Sequence, residues 1–487
     1  MLEYEAVIGL EVHAQLKTKS KIFCSCSTEF GAEPNQQVCP VCLGMPGVLP
    51  VLNKKALEYG IKCGIALNCK ISENSKFDRK NYFYPDLPKA YQVSQYDQPV
   101  CSDGYLMVGD RKIRILRAHL EEDAGKLVHA GAAGLHGSDY SLADFNRSGV
   151  PLLEIVSEPD LRTPDEARQY LTELRTILRY LDVCDGNLEE GSFRCDANVS
   201  IRPVGEEKLG TKAEIKNMNS FKAVQRAIQS EIERQKDLLS KGQRVIQETR
   251  LWNEATQSTF SMRSKEEAHD YRYFPEPDLV PLKISPAQVE SIRKTLPELP
   301  EARRNRYVGD AGLSSEDAVI LVENKDLADF YDQALALGAS AKAAANLLLG
   351  PAMSHFNKLS GEQQTISDTI LTPQNLRDIV ENINSGALNS TTAKQVLLDL
   401  LAMDRGSQVV DVKDYIQKKG LIQVSDETQI ASIVQTVLDS KPDQLAEFRA
   451  GKVKVRGFFF GEVMKSLKGK GNPEIINKIL DEKLAGP

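Results

Sequence analysis

The sequence lacks the features that would direct it to a membrane or a secretory pathway. No apolar run among its 487 residues approaches the about 18 needed to cross a bilayer. The first residues, MLEYEAVIGLEVH, carry acids where a signal peptide needs bases. The net charge of −7 excludes a general binder of polyanions, so any contact with nucleic acid must come from local basic patches. We therefore expect a soluble, cytoplasmic protein that does not contact a membrane.

Motifs of common nucleotide-binding and hydrolytic sites are also missing. No GxxxxGK[ST] or GxGxxG segment opens a helix, which excludes a phosphate-cradling loop and a dinucleotide fingerprint. No GxSxG elbow is present, and nothing else marks a serine nucleophile. If the chain binds ATP, it must therefore do so on a sheet, through a metal ion and basic side chains.

Three regions differ in texture, which predicts three domains in a chain too long for one core. Residues 1–290 are rich in short alternating segments and hold all nine cysteines and the only tryptophan. Residues 291–410 have helical periodicity, and residues 411–487 form a small tail that is also helical. The expected fold class is α+β, with a sheet domain, an all-helical domain and a helical tail.

The first region alternates strand and helix signals. Polar and apolar residues alternate in segments that predict antiparallel strands: Glu5–His13, Lys112–Arg117, Ala197–Arg202 and Ala213–Lys216. Residues 163–166, TPDE, predict a capping box with proline at the first helical position. A second helix is expected from about Ser220 to near Gly242.

Residues 76–97, KFDRKNYFYPDLPKAYQVSQYD, mix charged and aromatic side chains at high density. A core strand would not carry so many charges, and a solvated loop would not carry so many aromatics. The mixture favours a site that holds a polar, charged ligand on a rigid support. The alternative is an irregular loop with a turn at 84–87.

Two cysteine pairs predict a metal site. Cys24-x-Cys26 and Cys39-x-x-Cys42 are separated by twelve residues, a spacing typical of a structural zinc site with four thiolates. We therefore expect a zinc loop over residues 24–47. The alternative is a set of unrelated reduced thiols. The other five cysteines have no such partners, and we expect them to be small, buried hydrophobic residues.

Acidic clusters predict a second metal site. Glu11 and His13 share one face of a strand, and acidic runs follow at residues 119–123 and 189–196. Carboxylates from separate strands with one imidazole suit Mg²⁺. Basic side chains that could hold phosphates or carboxylates accompany them: Arg79, Lys80, Lys89, Arg117, Arg147 and Arg194. The alternative is a set of solvated strand ends.

The tail carries a local basic patch. Residues 451–472 contain six basic side chains against one acid, which favours contact with a phosphate backbone. Phe458, Phe459 and Phe460 lie within it, and we expect them to be core residues rather than base-stacking platforms.

Together these segments resemble the B subunit of the tRNA-dependent amidotransferases, the GatB family. The matching segments cover nearly the whole chain in the family's order: GLEVHAQL, the paired cysteines, KFDRKNYFYPDLPKAYQ, HLEEDAGK, DFNRSGVPLLEIVSEPD, EEGSFRCDANVS, GTKAEIKNMNSF, QETRLWNEAT and DYRYFPEPDL. The tail segment GEVMKSLKGKGNPEIINKIL is similar to the family's small C-terminal domain.

The resemblance implies a fold and a reaction. Residues 1–290 would form a glutamine synthetase-like catalytic domain whose antiparallel sheet cradles ATP and Mg²⁺. ATP would phosphorylate the side-chain carboxylate of Glu-tRNA(Gln), Asp-tRNA(Asn) or both, and ammonia would displace the phosphate. This is the activity of a glutamine-hydrolysing carbon–nitrogen ligase.

The resemblance also implies partners. Ammonia would come through a channel from the A subunit, an amidase (glutaminase), and a small C subunit would complete a heterotrimer. The helical domain at 291–410 and a YqeY-like tail domain at 411–487 would hold the tRNA.

The resemblance assigns roles to individual residues. The catalytic candidates are Glu11, His13, Lys89, Glu122 and Arg147. The candidates for nucleotide contact are Lys80, Arg117 and Arg194. The candidate Mg²⁺ ligands are Glu11, His13, Glu121, Glu122, Glu158, Glu190 and Asp196, and the Zn²⁺ ligands are Cys24, Cys26, Cys39 and Cys42. Glu121 and Glu122 face opposite sides of a strand, and the sequence leaves open which one points inward.

Two other functions are consistent with parts of the sequence. A stand-alone ATP-dependent amide ligase would use free ammonia and a small acid, but it would need neither the basic tail nor the helical domain. A non-catalytic, zinc-bearing RNA-binding scaffold would not need three acidic clusters, which repel RNA in the absence of a metal.

Overall fold

The computed structural model of the chain describes residues 3–129, 140–264, 268–359, 365–403, 410–424 and 426–485. The chain forms two compact units, Met1–Pro300 and Glu301–Pro487. A further division near residue 410 stays a prediction. No helix in the described ranges is long and apolar enough to cross a bilayer.

The first unit combines strands with four helices in its described part. Its strands are β1 (Tyr4–Gln15), β2 (Lys70–Ile71), β3 (Asn74–Ser75), β4 (Asp78–Asn81), β5 (Tyr91–Ser94), β6 (Cys101–Val108), β7 (Arg111–Glu122), β8 (Lys126–His129), β9 (Ser141–Asp144), β10 (Pro151–Ser157), β11 (Phe193–Pro203), β12 (Ala213–Lys216), β13 (Glu248–Asn253), β14 (Ser258–Ser264), β15 (Phe274–Pro275) and β16 (Leu282–Lys283). Its helices are α1 (Lys54–Ala66), α2 (Pro164–Tyr180), α3 (Phe221–Ser240) and α4 (Pro286–Arg293). The mixture confirms the α+β class.

Nine strands form one large sheet in the order β14-β13-β12-β11-β1-β10-β7-β6-β2. Its neighbours run antiparallel except β12 and β13, which are parallel. Strands β12 and β13 are parallel because helix α3 connects them. The helix returns the chain to the end of the sheet at which β12 began, so β13 runs in the same direction as β12. Smaller sheets are β15-β4-β5, β16-β3 and β8-β9.

Helices α1, α2 and α3 cover one face of the large sheet. On β1, alternate side chains enter this core: Ile8, Leu10, Val12 and Ala14 are at most 1% exposed. From α2, Tyr170, Leu171, Leu174 and Leu178 are fully buried against them. The intervening β1 residues, including Glu11 and His13, therefore point to the opposite face.

The two predicted helix starts form, with one difference. The hydroxyl of Thr163 accepts the N–H of Glu166 at 3.1 Å, as a capping box requires. The Glu166 carboxylate, however, accepts the N–H of Arg162 at 2.7 Å rather than closing the box on Thr163. Ser220 caps α3, and Gly242 follows its end with φ +71°.

The second unit is helical throughout its described part. Its helices are α5 (Pro300–Gly309), α6 (Ser315–Glu323), α7 (Lys325–Ala336), α8 (Ala341–Leu347), α9 (Met353–Lys358), α10 (Pro373–Asn384), α11 (Ser390–Leu401), α12 (Val412–Lys418), α13 (Glu427–Asp439), α14 (Pro442–Arg449), α15 (Val455–Ser466) and α16 (Pro473–Ala485). A π-helical turn at Leu348–Ala352 joins α8 to α9. The last four helices share a small core with Phe459 at its centre.

The tail only partly matches its predicted properties. Phe459 is buried and Phe460 packs against the same core, but Phe458 is 42% exposed. The basic patch is also partly neutralised, since Arg456 donates to Asp481 at 2.6 Å. The acid lies on a neighbouring helix, so a count of charges along the segment could not include it.

The core between α2 and the sheet leads to a stability prediction. Leu174→Ala should lower the free energy of unfolding by about 2–5 kcal/mol, because it leaves a cavity in a fully buried site. Trp252 is the only tryptophan of the chain and is 2% exposed in the first unit, so its fluorescence during urea denaturation reports on that unit. The exposed neighbour change Gln169→Ala is the control and should leave the transition in place. Equal midpoints for the two variants would contradict this description of the core.

Candidate functional site

Charged side chains from neighbouring strands meet on the face of the sheet opposite α1, α2 and α3. His13 of β1 lies opposite Glu154 of β10 in the antiparallel register. Its Nε2 atom lies 3.4 Å from a carboxylate oxygen of Glu154 and 3.9 Å from one of Glu11. The three residues place possible metal-binding atoms within 4.8 Å of one another.

Residues of β7 complete this group. His119 also lies opposite Glu154, and its Nε2 is 3.5 Å from that carboxylate. Glu121 lies 3.7 Å from Nε2 of His13 and 3.8 Å from Nε2 of His119. The side chains of Glu11 and His13 keep 27% and 18% exposure, whereas the other three are buried. We call these five residues the histidine–carboxylate cluster; solvent reaches it through Glu11 and His13.

The cluster's charges compensate one another only in part. Burial alone would lower the pKa of His13, but its hydrogen bond to Glu154 and the surrounding carboxylates raise that pKa to about 9. Burial alone would raise the pKa of Glu154, but both histidines and Lys80 hold it well below its usual range. Burial and the charge of Glu154 raise the pKa of Glu11. With three carboxylates around two imidazoles, the cluster would favour an added cation.

Unsatisfied polar atoms mark the same face. Among the residues that the structure describes, His119 Nδ1 and Asn198 Oδ1 are buried without a hydrogen-bond partner. Asn198 lies on β11 opposite Gly9, two residues along β1 from Glu11. A buried unsatisfied polar atom costs roughly 1–3 kcal/mol, so such atoms are rare outside sites that bind a ligand or water.

The β11 side of the cluster is already balanced in charge. Asp196 lies opposite Glu11 and pairs with Lys216 of β12. Burial alone would lower the pKa of Lys216, but Asp196 and Glu214 raise it well above its usual value. Asp196 therefore borders the cluster with its charge offset by an ammonium group.

Arg147 and Arg194 converge on a buried carboxylate rather than on the cluster. Arg194 donates to Asp123 at 2.9 Å, and Arg147 lies 3.6 Å from the same carboxyl group. Arg147 also donates to the carbonyls of Ala124 and Gly125 at 2.9 and 2.6 Å. Burial alone would raise the pKa of Asp123, but the two guanidinium groups lower it. Both arginines thus brace the turn between β7 and β8.

Two other cations near the cluster lack such partners. In the described part of the chain, neither Lys80 nor Arg117 has a carboxylate within 4.0 Å. Arg117 donates only to the carbonyl of Tyr96, at 3.5 Å, and its buried Nε has no partner there. Burial alone would lower the pKa of Lys80, but Tyr273, Glu121 and Glu154 raise it, so its ammonium lies in the field of the cluster. These two side chains remain available to an anionic ligand.

Three predicted metal ligands lie elsewhere. Glu122 follows Glu121 on β7 and points to the opposite face, where it accepts a backbone N–H at 2.8 Å and the Lys89 ammonium at 2.7 Å. Glu158 lies beyond the end of β10, and Glu190 is exposed in the turn before β11. The alternation along β7 and the ends of the strands separate these carboxylates from the cluster.

Sequence reasoning missed Glu154 and His119 as members of the cluster. A signal for Glu154 was present, because it is the single charge within the apolar run of β10, PLLEIVS. A buried carboxylate needs a charged or hydrogen-bonding partner. His119 shares its strand face with Glu121, so the same alternation that places one predicts the other.

The four cysteines of the predicted zinc loop come together. The Sγ atoms of Cys24, Cys26, Cys39 and Cys42 lie within 4.8 Å of one another. The distance between those of Cys39 and Cys42 is 3.9 Å, and two sulfurs bound to one tetrahedral zinc lie about 3.8 Å apart. The cysteine cluster can therefore hold a structural metal ion, and its donors are compatible with zinc.

A buried lysine supports the cysteine cluster. Lys21 is fully buried and donates to Cys42 Sγ at 3.6 Å and to the carbonyl of Phe145 at 3.2 Å. Hydrogen bonds from Cys24 and the backbone of Cys39, together with the Lys21 charge, lower the pKa of Cys42. This lowering favours the thiolate of Cys42, which is the form that binds metals.

Comparisons with known proteins cover both units. A family model described as the GatB/GatE catalytic domain matches residues 6–290, and one described as the GatB domain matches residues 329–484. The B subunit of the aspartyl/glutamyl-tRNA(Asn/Gln) amidotransferase of Thermodesulfovibrio yellowstonii is 53% identical over 483 residues, or 98% of this chain and 99% of the relative. The proteins of the same name from Solidesulfovibrio magneticus and Brevibacillus brevis are 53% and 51% identical, and each alignment covers at least 99% of both chains. On this evidence the chain belongs to the GatB family.

Proposed function

We propose that this chain activates and amidates the aminoacyl group of a misacylated tRNA, as the B subunit of a tRNA-dependent amidotransferase. The substrate class is Glu-tRNA(Gln), Asp-tRNA(Asn) or both, and the products are Gln-tRNA(Gln) and Asn-tRNA(Asn). The observation that carries the proposal is the histidine–carboxylate cluster, with two unpaired cations beside it, on the open face of the sheet. The relatives' name supplies the reaction.

The chemistry requires such a site. A carboxylate is inert to ammonia until one of its oxygens becomes a leaving group. Transfer of the γ-phosphoryl group of ATP creates that leaving group, and ammonia then displaces phosphate to form the amide. The first step brings two anions together, and the second releases phosphate as an anion, so positive charge must surround the reacting groups.

The cluster fits Mg²⁺, which would neutralise charge on the transferred phosphoryl group. Glu11, His13 and Glu154 place donor atoms within 4.8 Å of one another, and Glu121 lies 3.7 Å from His13. His119 is buried with an unpaired Nδ1, which suits a role behind the ligands rather than in contact with solvent. A glutamine synthetase-like fold, in which a mostly antiparallel sheet cradles a nucleotide and metal, is consistent with this placement.

The cations divide into two classes. Lys80 and Arg117 have free donors next to the cluster, so we assign them to the phosphates or to the carboxylate of the aminoacyl group. Arg147 and Arg194 are held by Asp123, so we assign them to positioning the turn between β7 and β8. Lys89 is paired with Glu122 on the reverse side of β7, and the catalytic roles predicted for these two residues stay predictions.

Partners follow from the relatives' name, since a B subunit implies other subunits. We propose a heterotrimer with the A subunit, an amidase that hydrolyses glutamine, and a small C subunit. The chain itself has no recognisable serine nucleophile for glutamine hydrolysis. The helices after residue 300 would hold the tRNA, with Lys454 and Lys468 available because neither has a carboxylate within 4.0 Å among the described residues. A cytoplasmic location remains part of this proposal.

Replacement of Glu154 tests the assignment of the cluster. Glu154→Gln should lower ammonium- and ATP-dependent amidation of Glu-tRNA(Gln) by at least about a hundredfold, because it removes the carboxylate that both histidines contact. The assay uses the chain assembled with its partner subunits, and ammonium makes glutamine hydrolysis unnecessary.

The matched control is Glu58→Gln, on α1, where the carboxylate pairs only with lysines of the same helix, Lys55 at 2.8 Å and Lys62 at 3.6 Å. It should amidate at the wild-type rate. If Glu154→Gln were equally active, the cluster would not be the catalytic site. If wild type amidated no aminoacyl-tRNA while binding tRNA, the RNA-binding scaffold would replace the transferase. Amidation of free glutamate without tRNA would instead support the stand-alone ligase.

We further propose that the cysteine cluster holds structural Zn²⁺. Purified protein should contain about one zinc ion per chain, and Cys39→Ser should lose most of it and melt at a lower temperature, because metal binding stabilises the folded loop. Elemental analysis measures the zinc content. Cys69→Ser, at a cysteine outside the cluster, is the control and should keep its zinc. Unchanged zinc content in Cys39→Ser would refute the site.

A further inference from the structure

Four tyrosines gather beside the histidine–carboxylate cluster. Tyr96 and Tyr273 stack with ring centroids 4.2 Å apart and planes within 10° of parallel. Tyr271 meets Tyr273 edge-on at 6.1 Å and Tyr82 at 5.8 Å. Tyr82 and Tyr96 lie on either side of β5, whereas Tyr271 and Tyr273 come just before β15. The small sheet β15-β4-β5 therefore brings together two segments that are far apart in sequence.

The tyrosine group is not part of the hydrophobic core. Tyr96 is 40% exposed, and the other three rings are half-buried. None of the four belongs to the core beneath the large sheet, unlike Tyr170, which is fully buried there. The stacked pair therefore leaves part of its aromatic surface in solvent, chiefly through Tyr96, and this surface could be covered by a ligand.

Cations border the same rings. Lys80 Nζ lies 4.9 Å from the ring centroid of Tyr271, and Arg117 donates to the carbonyl of Tyr96. Burial, Glu154 and Glu121 raise the pKa of Tyr273 to about 12, while Lys80 and Arg117 oppose the rise, so Tyr273 lies within the field of both cations and of the cluster's carboxylates. An aromatic face next to cations without carboxylate partners suits an anionic ligand with a flat ring, rather than an apolar one.

We propose that the exposed face of the Tyr96–Tyr273 stack binds the adenine ring of an adenosine-bearing substrate, with Lys80 and Arg117 contacting its phosphates. The inference rests on the proposed function, which has two such substrates: ATP and the tRNA, whose acceptor end is an adenosine. Either one must bring its reactive group to the neighbouring cluster. Base stacking on aromatic rings and phosphate contact by lysine or arginine are the general means of holding such a ligand.

Paired substitutions separate stacking from hydroxyl chemistry. Tyr96→Ala and Tyr273→Ala should raise KM for one substrate roughly 5- to 150-fold with little change in kcat, in the ammonium-dependent assay with the assembled enzyme. Tyr96→Phe and Tyr273→Phe keep the rings and should remain near wild type. A raised KM for ATP alone assigns the face to the ATP base, and a raised KM for tRNA alone assigns it to the terminal adenosine.

A direct measurement of stacking uses 2-aminopurine, whose fluorescence falls when it stacks. It is supplied as the riboside triphosphate or at the 3′ end of the tRNA. Quenching by one of these probes is expected with wild type and with the phenylalanine variants, and its loss is expected with the alanine variants. Tyr96→Leu keeps apolar bulk without an aromatic ring. Leucine would restore binding if alanine had only caused a packing defect, so we expect Tyr96→Leu to lose quenching as Tyr96→Ala does.

The control is Tyr105→Ala, whose partly exposed ring lies over Lys112 at 4.0 Å on β6. It should leave KM and quenching unchanged. The inference is overturned if the alanine variants keep the wild-type KM for both substrates. It is also overturned if the phenylalanine variants lose quenching, or if Tyr96→Leu keeps it. If wild type itself does not amidate, the proposed function fails, and the quenching measurement still decides whether the tyrosines bind the base.

Discussion

The two-residue alternation of the central strands is the constraint on which the rest of the first unit depends. On β1, Ile8, Leu10 and Val12 enter the core under the helices, while Glu11 and His13 point the other way. A shift of one residue in register would place the charges in the core and the apolar residues in solvent. The energy that packs the helices therefore also fixes the positions of the site's side chains. The register of β1 with β10 then determines which carboxylate His13 meets.

A second layer of support comes from the cysteine loop. Asn35 accepts the N–H of Phe145 at 2.8 Å and donates to the carbonyl of Ala143 at 3.0 Å, and Lys21 joins Cys42 to the carbonyl of Phe145. The segment so held contains Arg147, which braces Asp123, and continues into β10 with Glu154. A metal ion at the cysteines would thus stabilise the segment that leads into β10 without taking part in the chemistry of the histidine–carboxylate cluster. These hydrogen bonds between the cysteine loop and that segment explain why a structural metal would lie in the same unit as the cluster.

Much of this arrangement could be predicted from local patterns, and the rest depended on pairing between distant strands. Cysteine spacing and strand alternation were sufficient to group Cys24 with Cys42 and Glu11 with His13. Placement of Glu121 rather than Glu122 in the histidine–carboxylate cluster required the pairing of β7 with β10. The register of these two strands shifts between Val156 and Ser157, and this shift changes which β7 residues face the core. Glu154 was missed because only the register with β1 brings it to His13. The pairing of Arg147 with Asp123 was not predicted for a similar reason, because Asp123 comes from another strand end.

If the histidine–carboxylate cluster is the metal-binding centre of the reaction, a divalent cation must bind at its open side. Anomalous X-ray diffraction can locate that cation in crystals of the assembled enzyme with Mn²⁺ in place of Mg²⁺ and a non-hydrolysable ATP analogue. We expect an anomalous peak about 2.0–2.3 Å from donor atoms of Glu11, His13 or Glu154, with the nucleotide's phosphates beside it. A peak at Glu122 on the reverse side of β7, or none near His13, would contradict this assignment.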